Sequence, residues 1–257
     1  MPNIRLKNVK NFICHDIDLD IRDKEFLVLW GPTGVGKTTL LNIIAGLIGY
    51  EGSVSFDSIP VDKFPVYQRK TGYLFQNLIL FPHLSVKANI AYGLRVQGKS
   101  KSETELRAEE LLELMGIEHL AGRFPKDLSG GEKQRVALAR AIAPSSEIML
   151  FDEPLNSLDF HAARHLRTEI HKLHRKLGFT TIYVTHCFEE AFALADRVAV
   201  LNNGRIVRVD SPENIFKESD CKMIAENGYC DCHKGNKNST TQIKLENSGI
   251  LCHSRRG

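Results

Sequence analysis

Residues 26–47 read FLVLWGPTGVGKTTLLNIIAGL, and the order of these pieces decides the fold. An apolar run from Phe26 to Trp30 passes through a glycine-rich turn into TTLLNIIAGL, a stretch of helix length. The join, Gly31-Pro32-Thr33-Gly34-Val35-Gly36-Lys37-Thr38, fits G-x-x-x-x-G-K-[ST] in the strand-to-helix setting that this spacing requires. Glycines let successive N–H groups curl around phosphate oxygens, and the helix N-terminus adds its positive dipole end. Lys37 can then reach β- and γ-phosphates, and the Thr38 hydroxyl can ligate Mg²⁺. The expected nucleotide-binding set here is Gly31, Pro32, Thr33, Gly34, Val35, Gly36, Lys37, Thr38 and Thr39.

Outward from this join, short apolar strand candidates alternate with helix-length segments: TGYLF (71–75), IMLF (148–151), TIYVT (181–185) and RVAVL (197–201). That rhythm predicts an α/β fold with a mainly parallel sheet. IRLKNV, DIDLDI and SVSFD alternate apolar with polar residues and predict a small antiparallel sheet near the N-terminus, and Asn203-Gly204 marks a hairpin. Between about 84 and 142 helix signals take over and predict an inserted helical subdomain. There TELRAEELLELMG is expected to set Leu106, Leu111, Leu114 and Met115 near one face and to end at Gly116. Ser211-Pro212-Glu213 starts a last helix, so residues 1–218 form one expected domain. Residues 219–257 read as a polar, cysteine-containing tail without core patterning.

Composition bounds the rest. The 257 residues are 42% hydrophobic and 25% charged, the balance of a globular chain rather than a disordered, fibrous or disulfide-scaffold one. The longest nearly unbroken apolar stretch, Leu40 to Gly49, is about half of the ~20 residues a bilayer crossing needs. MPNIRLKNVK lacks an apolar signal core, which predicts a cytoplasmic location and reduced thiols. A net charge of +3 is too small and dispersed to argue for nucleic acid.

Two further motifs carry chemistry. The apolar run Ile148 to Phe151 ends in Asp152-Glu153, where Asp152 would hold Mg²⁺ through water and Glu153 would orient or deprotonate an attacking water. Leu128-Ser129-Gly130-Gly131-Glu132 opens a helix with an S-x-x-E capping box, and its two glycines leave bare N–H groups for a second anion. A chain with one phosphate loop and a second anion site implies that two copies associate.

LSGGE together with GPTGVGKT and FDEP resembles the nucleotide-binding subunit of ATP-binding cassette (ABC) transporters over about residues 3–218. The resemblance implies a P-loop NTPase core of RecA-like type, ATP as substrate and Mg²⁺ as cofactor. It also implies that Gln76 senses Mg²⁺ and the membrane partner, that Leu158-Asp159 forms the D-loop, that His186 contacts the γ-phosphate, and that Phe12 stacks on adenine. Glu153 and His186 are then the catalytic pair. Thr38, Gln76 and Asp152 hold the metal, and Ser129, Gly130, Gly131 and Asp159 join the nucleotide contacts.

Residues 75–94, FQNLILFPHLSVKANIAYGL, resemble importers that work with an extracytoplasmic solute-binding protein. A homodimer or paired cassette would close on two ATP at the cytoplasmic face of the membrane. A groove near Gln76 would pass motion to a permease. The importer-like segment favours an oxyanion such as molybdate, tungstate or sulfate, with polyamine, iron or sugar as alternatives. A soluble cassette ATPase acting on DNA or the ribosome is the competing class, but no coiled-coil arm, zinc module or second cassette accompanies the motifs, so no nucleic acid is expected.

The chain departs from the family at Asn156-Ser157-Leu158-Asp159, where S-A-L-D is frequent. Cys187 stands where Asp is common, and Trp30 stands where a smaller residue is usual. None of these removes a catalytic group. His161, His165, His171 and His174 on one predicted helix read as a solvated basic face, with a metal pair at His161 and His165 as the alternative. Cys221, Cys230, Cys232, His233, Cys252 and His253 match no standard zinc spacing.

Overall fold

The computed structural model describes residues 2–156 and 158–216, and the backbone of 243–246 and 249–252. The apolar runs form a six-stranded sheet. β3 (Phe26–Trp30), β6 (Thr71–Leu74), β7 (Ile148–Asp152), β8 (Thr180–Thr185), β9 (Arg197–Asn202) and β10 (Arg205–Asp210) lie in the order β10-β9-β3-β8-β7-β6. Every pair from β9 to β6 is parallel, and β10 joins antiparallel through a turn with positive φ at both Asn203 and Gly204. Both central residues of a tight I′-type hairpin need that conformation.

β3, β7 and β8 are buried along their whole length because both faces are covered. Alternation divides their side chains. Phe26, Val28, Trp30, Met149 and Phe151 face one core, while Leu27, Leu29, Ile148 and Leu150 face the other. The second core is closed by α1 (Lys37–Ala45) and by an antiparallel sheet in the order β2-β1-β4-β5. Its strands are β1 (Ile4–Lys10), β2 (Ile17–Ile21), β4 (Glu51–Phe56) and β5 (Ile59–Pro60). The Arg69 guanidinium, buried under α1, donates to the carbonyls of Ile43 and Ile44 at 2.8 and 3.0 Å and so satisfies the last turn of that helix.

The first core is closed by α2 (Val86–Val96), α3 (Lys101–Leu114) and α4 (Gly130–Ile142) with α5 (Phe160–Leu177), α6 (Phe188–Leu194) and the short α7 (Pro212–Ile215). Gly116 takes φ +63 just beyond α3, as the sequence predicts. The predicted face of α3 needs correction. Thr104, Ala108, Leu111 and Met115 are buried at spacings of four, three and four, whereas Leu106 is 61% exposed. Leu106 precedes Leu111 by five residues, which turns it about 140° away.

The predicted solvated histidine face is also corrected at one position. His174 is buried, with Nδ1 2.9 Å from the Thr181 hydroxyl and its ring edge-on to Phe26 and Phe179. Among the described residues no group of three or more His, Cys, Asp or Glu is arranged to hold a metal, and no helix is long and apolar enough to cross a membrane. In the predicted tail, β11 (Ile243–Glu246) and β12 (Gly249–Cys252) pair antiparallel with Ile243 opposite Cys252. The alternation of IKLE, followed closely by GILC, is the local pattern behind this pair. Cys221, Cys230, Cys232, His233, His253 and the Cys252 side chain lie outside the described residues.

Candidate functional site

The strand-to-helix join forms a tight loop because two of its glycines are required by contact. A Cβ on Gly31 would stand 2.3 Å from the Leu201 carbonyl oxygen. Gly36, at φ +104, would meet Ile13 Cγ2 at 2.8 Å. Gly36 is also the N-cap of α1 and offers no side chain, so no cap accepts from the first-turn N–H groups. Thr33 and Gly34 stand exposed at the crest, with Pro32 and Val35 half-buried on either side and Thr39 half-buried in the helix.

Lys37, 4% exposed, turns back into the loop and donates to the carbonyls of Gly31 and Pro32 at 2.8 and 2.7 Å. Burial lowers its pKa, against the opposing charges of Glu153 and Asp152. The Thr38 hydroxyl donates to Asp152 Oδ1 at 2.8 Å. Asp152 is itself 3% exposed, and its pKa is raised, first by burial and then by the neighbouring Glu153, with the Thr38 bond and Lys37 pulling the other way.

Glu153 follows at the open end of β7 with φ +45, a left-handed conformation that costs a non-glycine residue about 1–2 kcal/mol. Its N–H donates to the Val184 carbonyl at 3.0 Å, which ties the strained residue to β8. Glu153 Oε1 lies 3.9 Å from Lys37 Nζ and 3.4 Å from His186 Nδ1, and the Asn156 amide donates to Oε2 of the same carboxylate. Glu153, Asn156 and His186 line an open cleft of about 490 Å³ with Gln76 and Asn77. The chain beyond Gln76 is gripped by Arg140 of α4, which donates to the carbonyls of Leu78 and Ile79 at 2.9 and 2.7 Å.

The remaining predicted residues stand apart from that cluster. Phe12 is 79% exposed, on a loop held to the phosphate loop by Ile13 packed at Gly36 and by the Cys14 thiol 3.9 Å from the Gly36 carbonyl. The His15 N–H, bonded to the Gly204 carbonyl at 2.8 Å, anchors the far side of that loop. Ser129 caps α4: its hydroxyl accepts from the Glu132 N–H at 3.3 Å, and the Glu132 carboxylate accepts from the Ser129 N–H at 2.7 Å. A Cβ on Gly130 or Gly131 would meet nothing within 4 Å, so no contact within the chain demands glycine there. Asp159 Oδ1 accepts from the N–H groups of His161 and Ala162, both at 3.0 Å, and caps α5.

Three features carry no local signal in the sequence. The Asn156 amide bond to Glu153 is local but belongs to no motif read from the sequence, and the grip of Arg140 on the chain after Gln76 joins segments about sixty residues apart. Burial, together with the charge of Glu190, raises the pKa of the half-buried Cys187 thiol, which disfavours the reactive thiolate that exposure beside His186 would suggest.

The donor set fits Mg²⁺. The Thr38 hydroxyl and the Asp152 carboxylate, 2.8 Å apart, and the Gln76 amide on the cleft that Glu153 lines are hard oxygen donors, few enough that phosphate and water would complete the shell, as this ion prefers.

The ABC transporter family matches residues 14–156, which contain the phosphate loop, Gln76, the Ser129 turn and Asp152-Glu153. The sulfate/thiosulfate import ATP-binding protein of Vibrio cholerae is 43% identical over 232 residues, 86% of this chain and 62% of its own. The molybdate/tungstate import ATP-binding protein of Pyrococcus abyssi is 43% identical over 93% of this chain and 71% of its own. A solved dimer of an ATP-binding cassette in a post-hydrolysis state, bound to ADP and Pi, superposes with a TM-score of 0.73 at 31% identity, covering 81% of this chain and 98% of that one. The chain spans 62% of the Vibrio relative and 60% of a Nostoc spermidine/putrescine import ATP-binding protein. With a matching family over more than half its length, and with the loop, carboxylate and histidine meeting as described, the chain belongs to the ABC transporter family.

Proposed function

We propose that this chain hydrolyses ATP as the energising subunit of a solute importer, two copies closing on two ATP while separate permease subunits carry the solute. The observation that carries the reading is the meeting of Lys37, Glu153 and His186 at one point, with Glu153 Oε1 3.9 Å from the ammonium and 3.4 Å from the imidazole. In this reading the loop N–H groups and Lys37 hold the β- and γ-phosphates, and Phe12 stacks on the adenine. Thr38, Asp152 and Gln76 would hold Mg²⁺. That ion supplies charge neutralisation to the phosphates when bound. Glu153 accepts the proton of the attacking water as its oxygen bonds to the γ-phosphorus and the bond to the β–γ bridging oxygen breaks, and His186 contacts the γ-phosphate.

Ser129, Gly130 and Gly131 serve the second copy. Their open glycines suit close approach by another molecule's phosphate, since nothing within the chain fills that space. Asp159 lies beside the same interface in this reading. The subunit works at the cytoplasmic face of the membrane, with an extracytoplasmic binding protein delivering solute to the permease. An oxyanion is the favoured solute, supported by the sulfate and molybdate relatives. A Rhizobium meliloti Fe(3+) importer subunit at 46% identity keeps a cationic solute as the second reading.

Glu153→Gln tests the mechanism. The variant should bind ATP, hydrolyse it at least ~100-fold more slowly, as loss of a general base implies, and accumulate as an ATP-bound dimer by size-exclusion with light scattering. Ser129→Arg added to it should abolish the dimer. A Glu153→Gln chain that stays monomeric at saturating ATP, or turns over at the wild-type rate, would sink the two-site sandwich.

A further inference from the structure

Four residues beyond His186 lies a carboxylate that this chemistry does not use. Glu190, in the first turn of α6, is 8% exposed. Its Oε2 accepts from the Tyr183 hydroxyl at 2.8 Å, and the Thr185 hydroxyl stands near enough to the same carboxylate to favour its charged form. Tyr183 and Thr185 are two residues apart on β8, so both present their hydroxyls to the face on which α6 packs. Thr185, only 1% exposed, uses its Oγ1 in turn to accept from the Cys187 N–H at 3.0 Å. The residues on both sides of His186 are therefore tied to each other through one buried hydroxyl, and that hydroxyl stands beside the Glu190 carboxylate.

Packing alone does not account for that group. A carboxylate buried under a sheet loses its hydration, and an apolar side chain of like volume is often at least as stabilising. Burial raises the Glu190 pKa, whereas its hydroxyl partners, Arg167 and His186 act in the opposite sense and favour the charged form. The His186 imidazole reaches Glu153 at 3.4 Å, so a small shift of the Thr185–Cys187 turn would move it out of reach.

We infer that Glu190 is a positioning residue for ATP hydrolysis: acting through Thr185, it sets the turn that holds His186 beside Glu153 and the γ-phosphate. The inference rests on the roles proposed above for His186 and Glu153. It concerns the rate of the chemical step rather than nucleotide affinity, because the side-chain hydrogen bonds of Glu190 and Thr185 run to Tyr183 and Cys187 rather than to the phosphate loop.

The test uses the full chain and reads steady-state ATP hydrolysis, nucleotide-binding stoichiometry and melting temperature. Glu190→Gln should lower kcat about tenfold, in keeping with misplacement of one catalytic group, while KM for ATP stays within about twofold and binding stoichiometry is unchanged. Thr185→Val should behave the same way, whereas Thr185→Ser, which keeps the hydroxyl, should retain most of the turnover. Should Glu190→Gln fail to fold, the Thr185 pair decides alone. Wild-type kcat in Glu190→Gln, equal effects of Thr185→Val and Thr185→Ser, or a fall in activity matched by lost binding stoichiometry would overturn the inference while leaving the ATPase reading intact. A wild-type chain that does not hydrolyse ATP would overturn both.

Discussion

The Thr38 hydroxyl donates to Asp152 Oδ1 across 2.8 Å, joining the first turn of α1 to the end of β7 over 114 residues of sequence. One partner begins the helix after the glycine loop and the other ends a buried strand, so the bond sets the loop against the carboxyl edge of the sheet.

Asp152 has its pKa raised by burial, so the folded chain holds its proton more tightly than the unfolded chain does. Stability from this group is therefore greatest at acid pH. It falls as the pH rises from the usual carboxylate value of 3.8 through the raised native one. Asp152→Asn should melt higher than wild type at pH 7 in nucleotide-free buffer, yet gain less from added Mg²⁺ and ATP. A lower melting temperature for the variant in nucleotide-free buffer would contradict the desolvation argument.

His174 behaves in the opposite sense. Burial lowers its pKa, against the pull of Asp196, and His171 and Arg175 lower it further, so the unfolded chain binds this proton more readily than the folded one. The stability is present above about 6.5, the ordinary histidine value, and is lost as the pH falls toward the lowered native pKa. His174→Phe, which keeps the ring packing against Phe26 and Phe179, should flatten melting temperature against pH between about 5 and 7. An unchanged slope would place the acid sensitivity elsewhere.

Phe216 closes the described body of the chain. Its ring stands 5.2 Å from Trp30 and 4.6 Å from Phe188, edge-on to both. Phe216→Ala should destabilise by roughly 2 kcal/mol, less than a fully buried phenylalanine would, and should alter the emission of Trp30, the single tryptophan. Removal of residues 219–257 should leave both the melt and ATP turnover within error of wild type. Loss of soluble protein on that deletion would move the domain boundary into the tail.

Local patterns are legible in the amino-acid sequence itself. Phe26 to Trp30 is apolar at every position because both faces of β3 are covered, and the spacing of Gly31 to Thr38 encodes a loop whose glycines must tolerate a positive φ or a close carbonyl. Ser129 and Glu132 sit three residues apart, so their reciprocal cap is written in the chain. Asp152-Glu153 can be read from the strand that precedes it.

Long-range relationships are not legible in the same way. Periodicity misplaces Leu106 by giving one face to four leucine and methionine positions that helical geometry splits. It misplaces His174 because a row of histidines looks polar while one of them meets Phe26 and Phe179. Glu153 and His186 are 33 residues apart and meet only because β7 and β8 are adjacent parallel strands ending at the same edge. The amino-acid sequence by itself determined the central strands, the phosphate loop and the helix starts at Ser129 and Ser211, since those depend on neighbours at i+2, i+3 and i+4. The tertiary structure alone decided strand order, which helix face met the sheet, and the burial of Glu190 against Tyr183. Those outcomes follow from contacts summed over the whole core, in which no short segment specifies its own partner.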